Sequence, residues 1–158
     1  MVRDLCAVPA DDGIEFDPAS VVAEKLEAMV SLGVTNSRMK DFYDLQWLAK
    51  SAEFDGPTLA RAIRATFERR RTALPDGEPL VLAPGFMTAP ERQRQWRAFL
   101  RRGRLDAPED AGELTEDLRR FLLPVLAAAA RGGPYEARWR PGGPWMAEEG
   151  GKSLVEGG

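Results

Sequence analysis

Histidine is absent from the 158 residues, and cysteine occurs once, as Cys6. A lone cysteine excludes a disulfide within the chain and any cysteine-based zinc site, a usage that fits a reducing cytoplasm. The lack of histidine removes Ser-His and Cys-His catalysis and the commonest transition-metal ligand. Any metal held here would take oxygen ligands. With no histidine to activate it, Cys6 reads as a small, partly buried apolar residue rather than a reactive thiol.

Long apolar runs are also missing. None approaches the ~20 residues of a membrane span, and the opening MVRDLCAVPADDG has no apolar signal core. The expected location is therefore the cytoplasm, with no membrane as partner. Nor is there a large excess of one charge: 22 Lys and Arg against 25 Asp and Glu give a net charge of −3. The signs are nevertheless segregated, with residues 61–71 and 92–104 rich in arginine and 106–117 acidic. Such stretches either attract a polyanion or are solvated helix faces.

What is present suffices for one domain, since 44% hydrophobic residues can fill a core of ordinary size. The 15 glycines and 12 prolines gather outside the periodic segments, most densely from Gly132 onward. The last ~25 residues are accordingly expected to be loosely held. The expected organisation is an N-terminal segment at 1–16, a helical domain at 17–130 and a Gly/Pro-rich tail at 131–158.

Helical periodicity dominates 17–130. Asp17 and Pro18 mark a helix start, Val22, Leu26, Met29 and Val30 share its apolar face, Glu24 and Glu27 lie off that face, and Gly33 is a stop. Asn36 and Ser37 can cap a second helix reaching about Ser51, with Phe42, Leu45 and Leu48 inward. A third follows Asp55-Gly56-Pro57, with Leu59, Ile63 and Phe67 at intervals of four. Thr88 and Glu91 have the spacing of a capping box before a fourth, in which Trp96, Phe99 and Leu100 face inward. A fifth covers about 113–130 and meets a kink or break at Pro124. Strand signals are confined to 13–16 and 80–82, so no sheet of more than two strands is expected. The fold class is mainly α, a small antiparallel helical bundle.

The charged residues at the second helix start carry the chemistry. Asp41 and Asp44 are three apart on one face, and Lys40 lies four before Asp44, within side-chain reach. Lys25 projects from the middle of the first helix. Nucleotidyl transfer needs carboxylates that hold Mg²⁺ against a triphosphate and cations that neutralise the phosphates. The cations are visible as Lys25, Arg38 and Lys40. Read as ordinary helix residues, Lys25 is solvated, Lys40 pairs with Asp44, and Trp47 and Trp96 are core or rim. Lys25→Ala is expected to cost little stability, since a partly exposed lysine contributes mainly through its stem, and a loss of several kcal/mol would make Lys25 structural and weaken its reading as a site residue.

The run AEKLEAM, a short Gly-containing turn, then SRMKDFYDL resembles the nucleotidyltransferase AbiEii/AbiGii toxin family of bacterial abortive-infection and toxin–antitoxin systems. Lys25 matches the lysine of that family's third motif, and Arg38, Lys40, Asp41 and Asp44 match its fourth. FDGPTLARAIRATFERR, QWRAFLRR and PGGPW extend the likeness. The resemblance implies catalytic roles for Lys25, Asp41 and Asp44, nucleotide binding by Lys25, Arg38 and Lys40, and an α/β nucleotidyltransferase ancestry. It also implies Mg²⁺ and a nucleoside triphosphate as the family's cofactors, an antitoxin as partner, and a tRNA acceptor where the enzyme is active.

The family's first motif, Gly-Ser followed by an arginine and a carboxylate, and its second, a strand bearing a metal-binding aspartate, have no counterpart before Val21. The expectation is therefore a truncated, catalytically incomplete member with no metal ligands of its own and no productive Mg²⁺ or nucleotide binding. Asp11, Asp12 and Glu15 are carboxylates without rigid neighbouring strands, and Asp17 is committed to capping. The rival expectation is a helical interaction module that binds an antitoxin, a full-length relative or weakly itself, through surfaces that once met the lost sheet.

Overall fold

The structure, a computed structural model, describes residues 17–33, 39–133 and 135–147. Cys6, the 1–16 segment with its strand signal at 13–16, the cap residues Asn36 and Ser37, Arg38, and 148–158 lie outside the described residues.

The described residues form five α-helices and one small sheet. In chain order these are α1 (Pro18–Leu32), α2 (Met39–Ser51), β1 (Phe54–Asp55), α3 (Gly56–Arg69), a 3₁₀ turn (Leu80–Leu82), α4 (Pro90–Gly103), α5 (Ala111–Arg131), β2 (Ala137–Trp139) and β3 (Trp145–Ala147). The fold is mainly helical, as the periodicity predicts.

Capping explains where the helices begin. Asp55 Oδ2 accepts from the Thr58 amide at 3.1 Å and Asp110 Oδ1 from the Gly112 amide at 2.8 Å, each satisfying a donor that a helix start leaves orphaned. Asp17 holds the N-cap position of α1, but its carboxylate accepts from the Ser20 hydroxyl rather than from an amide. The predicted capping box at Thr88 does not form. Thr88 donates to the Pro84 carbonyl, Glu91 is taken by Arg94 and Gln95, and Ala89 is the N-cap. Gln93 instead ties the start of α5 to α4, accepting from the Ala111 amide and donating to the Glu109 carbonyl. The helix α5 runs through Pro124 without a break, from Ala111 to Arg131. Its many buried apolar side chains on either side outweigh the one backbone hydrogen bond a proline removes.

The centre of the molecule is α3, which packs on both α1 and α5, while α2 lies against α1, α4 and α5. Val22, Leu26 and Met29 of α1 meet Leu59, Ile63 and Phe67 of α3, with Leu118, Phe121, Leu122 and Val125 of α5 closing the core; all are essentially inaccessible. Glu27 departs from expectation. It is 4% exposed, and its carboxylate accepts from Arg70 and from the Thr72 hydroxyl, 2.5 Å away. A buried carboxylate is tolerable because two donors satisfy it.

Three further expectations do not hold. Residues 80–82 form a 3₁₀ turn rather than a strand, with Val81 and Leu82 buried and the Leu82 carbonyl accepting from Arg119. The sheet has three antiparallel strands in the order β1-β2-β3, with Phe54 opposite Trp139 and Trp139 opposite Trp145. Residues 135–147, expected to be loosely held, thus return to the helical core, where Ala137 and Trp139 are buried.

The hairpin sits against the start of α3, where Gly56 is the contact. A Cβ at that position would lie 2.6 Å from the Ala137 carbonyl oxygen and 3.1 Å from its nitrogen, and the obstructing atoms are backbone. Gly56→Ala is expected to cost about 1–3 kcal/mol through forced separation of β2 from α3. The check is a lower urea midpoint at unchanged slope, and a midpoint equal to the parent's contradicts it.

Candidate functional site

Lys25, in mid-α1, reaches across to α2. Its Nζ lies 3.1 Å from Asp41 Oδ1 and 3.2 Å from Asp44 Oδ2. Lys40 Nζ, one turn before Asp44 on α2, reaches the same Asp44 Oδ2 at 2.7 Å. The three-residue spacing of the aspartates places both on the face turned to α1, so one ammonium spans them. Their side chains are 2% and 0% exposed, that of Lys25 17%, and that of Lys40 46%. Four of the five predicted site residues are therefore brought together, and Arg38 lies outside the described residues.

The burial overturns the picture of Lys25 as a solvated side chain. Two carboxylates out of water demand a counter-charge, since each desolvated ion costs several kcal/mol when unpaired. Lys25 and Lys40 share in supplying it, and because Lys25 comes from the other helix its ammonium fastens α1 to α2. Asp44 Oδ1 is buried and has no hydrogen-bond partner among the described residues.

Beside this cluster, α2 and the end of α4 enclose a pocket of about 310 Å³ lined by Lys40, Tyr43, Asp44, Phe99, Arg102, Gly103 and Leu105. Tyr43 and Phe99 meet edge to face, their ring centres 6.2 Å apart. Burial, and then the negative charges of Asp106 and Asp44, push the Tyr43 phenol above its usual pKa, so it stays a neutral donor. Tyr43 and Phe99 carry no signal of this in sequence. At helical spacing Phe99 reads as core, and Tyr43 is given no role.

The basic stretches are partly neutralised. Arg69 and Arg70 pair with Glu24, Arg70 also with Glu27, and Arg94 with Glu91. Arg92 stacks on Phe86, its guanidinium 3.9 Å from the ring centre. Trp96 is buried with its indole donating to the Pro108 carbonyl, and Trp47 is half-buried against the core. Val22, Met29 and Phe42 are inside the core and leave no apolar surface to a partner.

A divalent magnesium ion wants six oxygen ligands with several waters among them. Asp41 and Asp44 are closed to solvent and engaged by lysine, and among the described residues no group of three or more Asp, Glu, Cys or His side chains could hold a metal. These residues do not fit the ion. The cations do fit phosphate, because Lys40 is half exposed and Lys25 retains an edge to solvent.

No helix among the described residues is long and apolar enough to cross a membrane. No curated protein and no solved structure matches the chain. Residues 16–123 match the family described as nucleotidyl transferase AbiEii toxin, type IV toxin–antitoxin system. That span holds α1 to α4, most of α5 and all five predicted site residues. Nucleotidyl transferases use a nucleoside triphosphate with Mg²⁺, and a type IV toxin family has an antitoxin as its characteristic partner. With well over half its length matched, the chain belongs to the AbiEii nucleotidyl transferase toxin family.

Proposed function

We propose that this chain carries the phosphate-holding helices of a nucleotidyltransferase toxin and, on its own, is catalytically incomplete. The observation that carries the reading is Lys25 fixed between Asp41 and Asp44 at the family's motif positions, with Lys40 beside it at the surface. The two aspartates hold the ammoniums in place, and Lys40, with Arg38 close by in sequence, faces the triphosphate. Transfer requires carboxylates that seat a metal on that triphosphate, and this cluster does not supply them. The natural partner is an antitoxin. A tRNA acceptor end is the substrate to test for transfer, with arginines of residues 92–104 as its backbone contacts.

The test titrates each of the four ribonucleoside triphosphates with and without Mg²⁺ and incubates the chain with labelled nucleotide and total tRNA. Expected are weak binding that Mg²⁺ barely alters, a further severalfold loss in Lys40→Ala, and no label on RNA. Lys40 serves better than Lys25 here because its half-exposed side chain can be removed with α1 still fastened to α2. Tight Mg²⁺-dependent binding or labelled RNA would show a complete enzyme, and absence of any binding would remove the phosphate-holding role.

A further inference from the structure

The pocket beside Asp44 has the construction of a site for a flat ring with an anionic tail. At about 310 Å³ it falls at the lower end of small-molecule cavities, roughly 300–1,000 Å³. Its walls are Tyr43, Phe99 and Leu105, and its cations are Lys40 and Arg102. The walls are held from behind. Phe99 stacks on Trp96 with centres 5.8 Å apart, Trp96 is anchored through its indole to Pro108, and the Leu105 amide donates to the Leu100 carbonyl. Lys40 is fixed by its bond to Asp44, the residue that also touches Lys25 and so joins the pocket to the ion-pair cluster.

We propose that this pocket receives the base of the nucleotide, its ring lying against Tyr43 and Phe99 while the phosphates run to Lys40 and Arg102. Rings on rings supply affinity that tolerates any base, because every base has a π-face, and the cations supply the charge complement of the phosphates. Tyr43 and Phe99 are then positioning residues for the nucleotide, with Arg102 as a phosphate contact beyond the family's third and fourth motifs. The inference rests on the phosphate-holding role proposed above, and it adds where the rest of the nucleotide goes.

Inorganic tripolyphosphate separates the two claims, because it has the phosphates and no base. Calorimetric titration of the full chain should give ribonucleoside triphosphates roughly tenfold tighter binding than tripolyphosphate, the scale of one base stacked on an aromatic side chain. Phe99→Ala removes one wall, and Leu105→Phe fills the cavity from a half-buried position. Each should erase the advantage of the nucleotide and leave tripolyphosphate affinity unchanged. Should Phe99→Ala fail to fold, Leu105→Phe carries the comparison alone. Equal affinity of the parent chain for nucleotide and tripolyphosphate would overturn the base pocket while leaving the phosphate role standing. A nucleotide preference that survives both substitutions would place the base elsewhere and overturn it too. Binding of neither ligand would overturn both claims.

Discussion

Lys25→Ala is expected to destabilise the fold by about 3 kcal/mol, far more than loss of a surface lysine, because it removes the ammonium shared by two carboxylates in the interior. Asp41 and Asp44 are 2% and 0% exposed, and Lys25 touches both at 3.1 and 3.2 Å. Lys40 remains as partner to Asp44, which places the loss toward the lower part of the about 3–5 kcal/mol seen when one member of a buried pair is removed. The physical signature lies in the compensation. Replacing Lys25 and both aspartates together, as Lys25→Met with Asp41→Asn and Asp44→Asn, should recover most of the stability, since the cost comes from uncompensated charge rather than lost volume, and the half-exposed Lys40 can turn to water. Urea denaturation of the single and triple variants measures this directly. A single-variant loss below about 0.5 kcal/mol, the range of ordinary surface substitutions, would show that the cluster does not hold α1 to α2.

On the proposed function Lys25 has two duties, fastening α1 to α2 and meeting phosphate. A lysine that must contact phosphate is best served by a side chain whose position is already set, and the two aspartates set it. Substitution of Lys25 alone therefore confounds folding with binding.

The helices were legible because their signals are local. Apolar spacing in α1, α2, α3 and α5, the helix start at Asp55-Gly56-Pro57 and the Gly33 stop are each decided by residues within one or two turns. The pairing of Lys40 with Asp44 was legible for the same reason, as an i,i+4 contact. The role of Lys25 was half legible: the motif order pointed to it, but its burial depends on how α1 meets α2, which no spacing encodes. Glu27 illustrates the limit. On a helical wheel it falls off the apolar face, and only Arg70 and Thr72, some forty positions away, make its burial tolerable. The sheet failed for a different reason. Its strands are two or three residues long, too short for an alternating pattern to register, and β1 lies far in sequence from β2 and β3. Glycine and proline in 132–144 suggested a loosely held tail, because such residues say nothing about what the intervening tryptophans pack on.

Trp139→Ala is expected to cost about 3–5 kcal/mol, the range for emptying an aromatic site in a core. Trp139 is 2% exposed, its ring centre lies 4.8 Å from that of Phe121 and 5.6 Å from that of Trp145, and Phe121 in turn meets Phe54 at 5.1 Å. The cluster thus joins β1, β2 and β3 to α5. The indole also donates to the Ala49 carbonyl at 2.7 Å, near the C-terminal end of α2, whose last carbonyls have no helical donors. Gly143, at φ 72°, presses its Cα side onto the same ring so closely that any Cβ there would collide with it. Removing the indole therefore opens a cavity, releases one helix-end hydrogen bond and unseats the turn between β2 and β3 together. Trp139→Phe, which keeps a ring and loses the donor, should cost less, and the difference between the two variants apportions packing against the hydrogen bond. Thermal and urea unfolding followed by circular dichroism provide the comparison. Equal stability of parent and Trp139→Ala would return residues 135–147 to the status of a dispensable tail; the expected loss makes them a structural part of the helical domain.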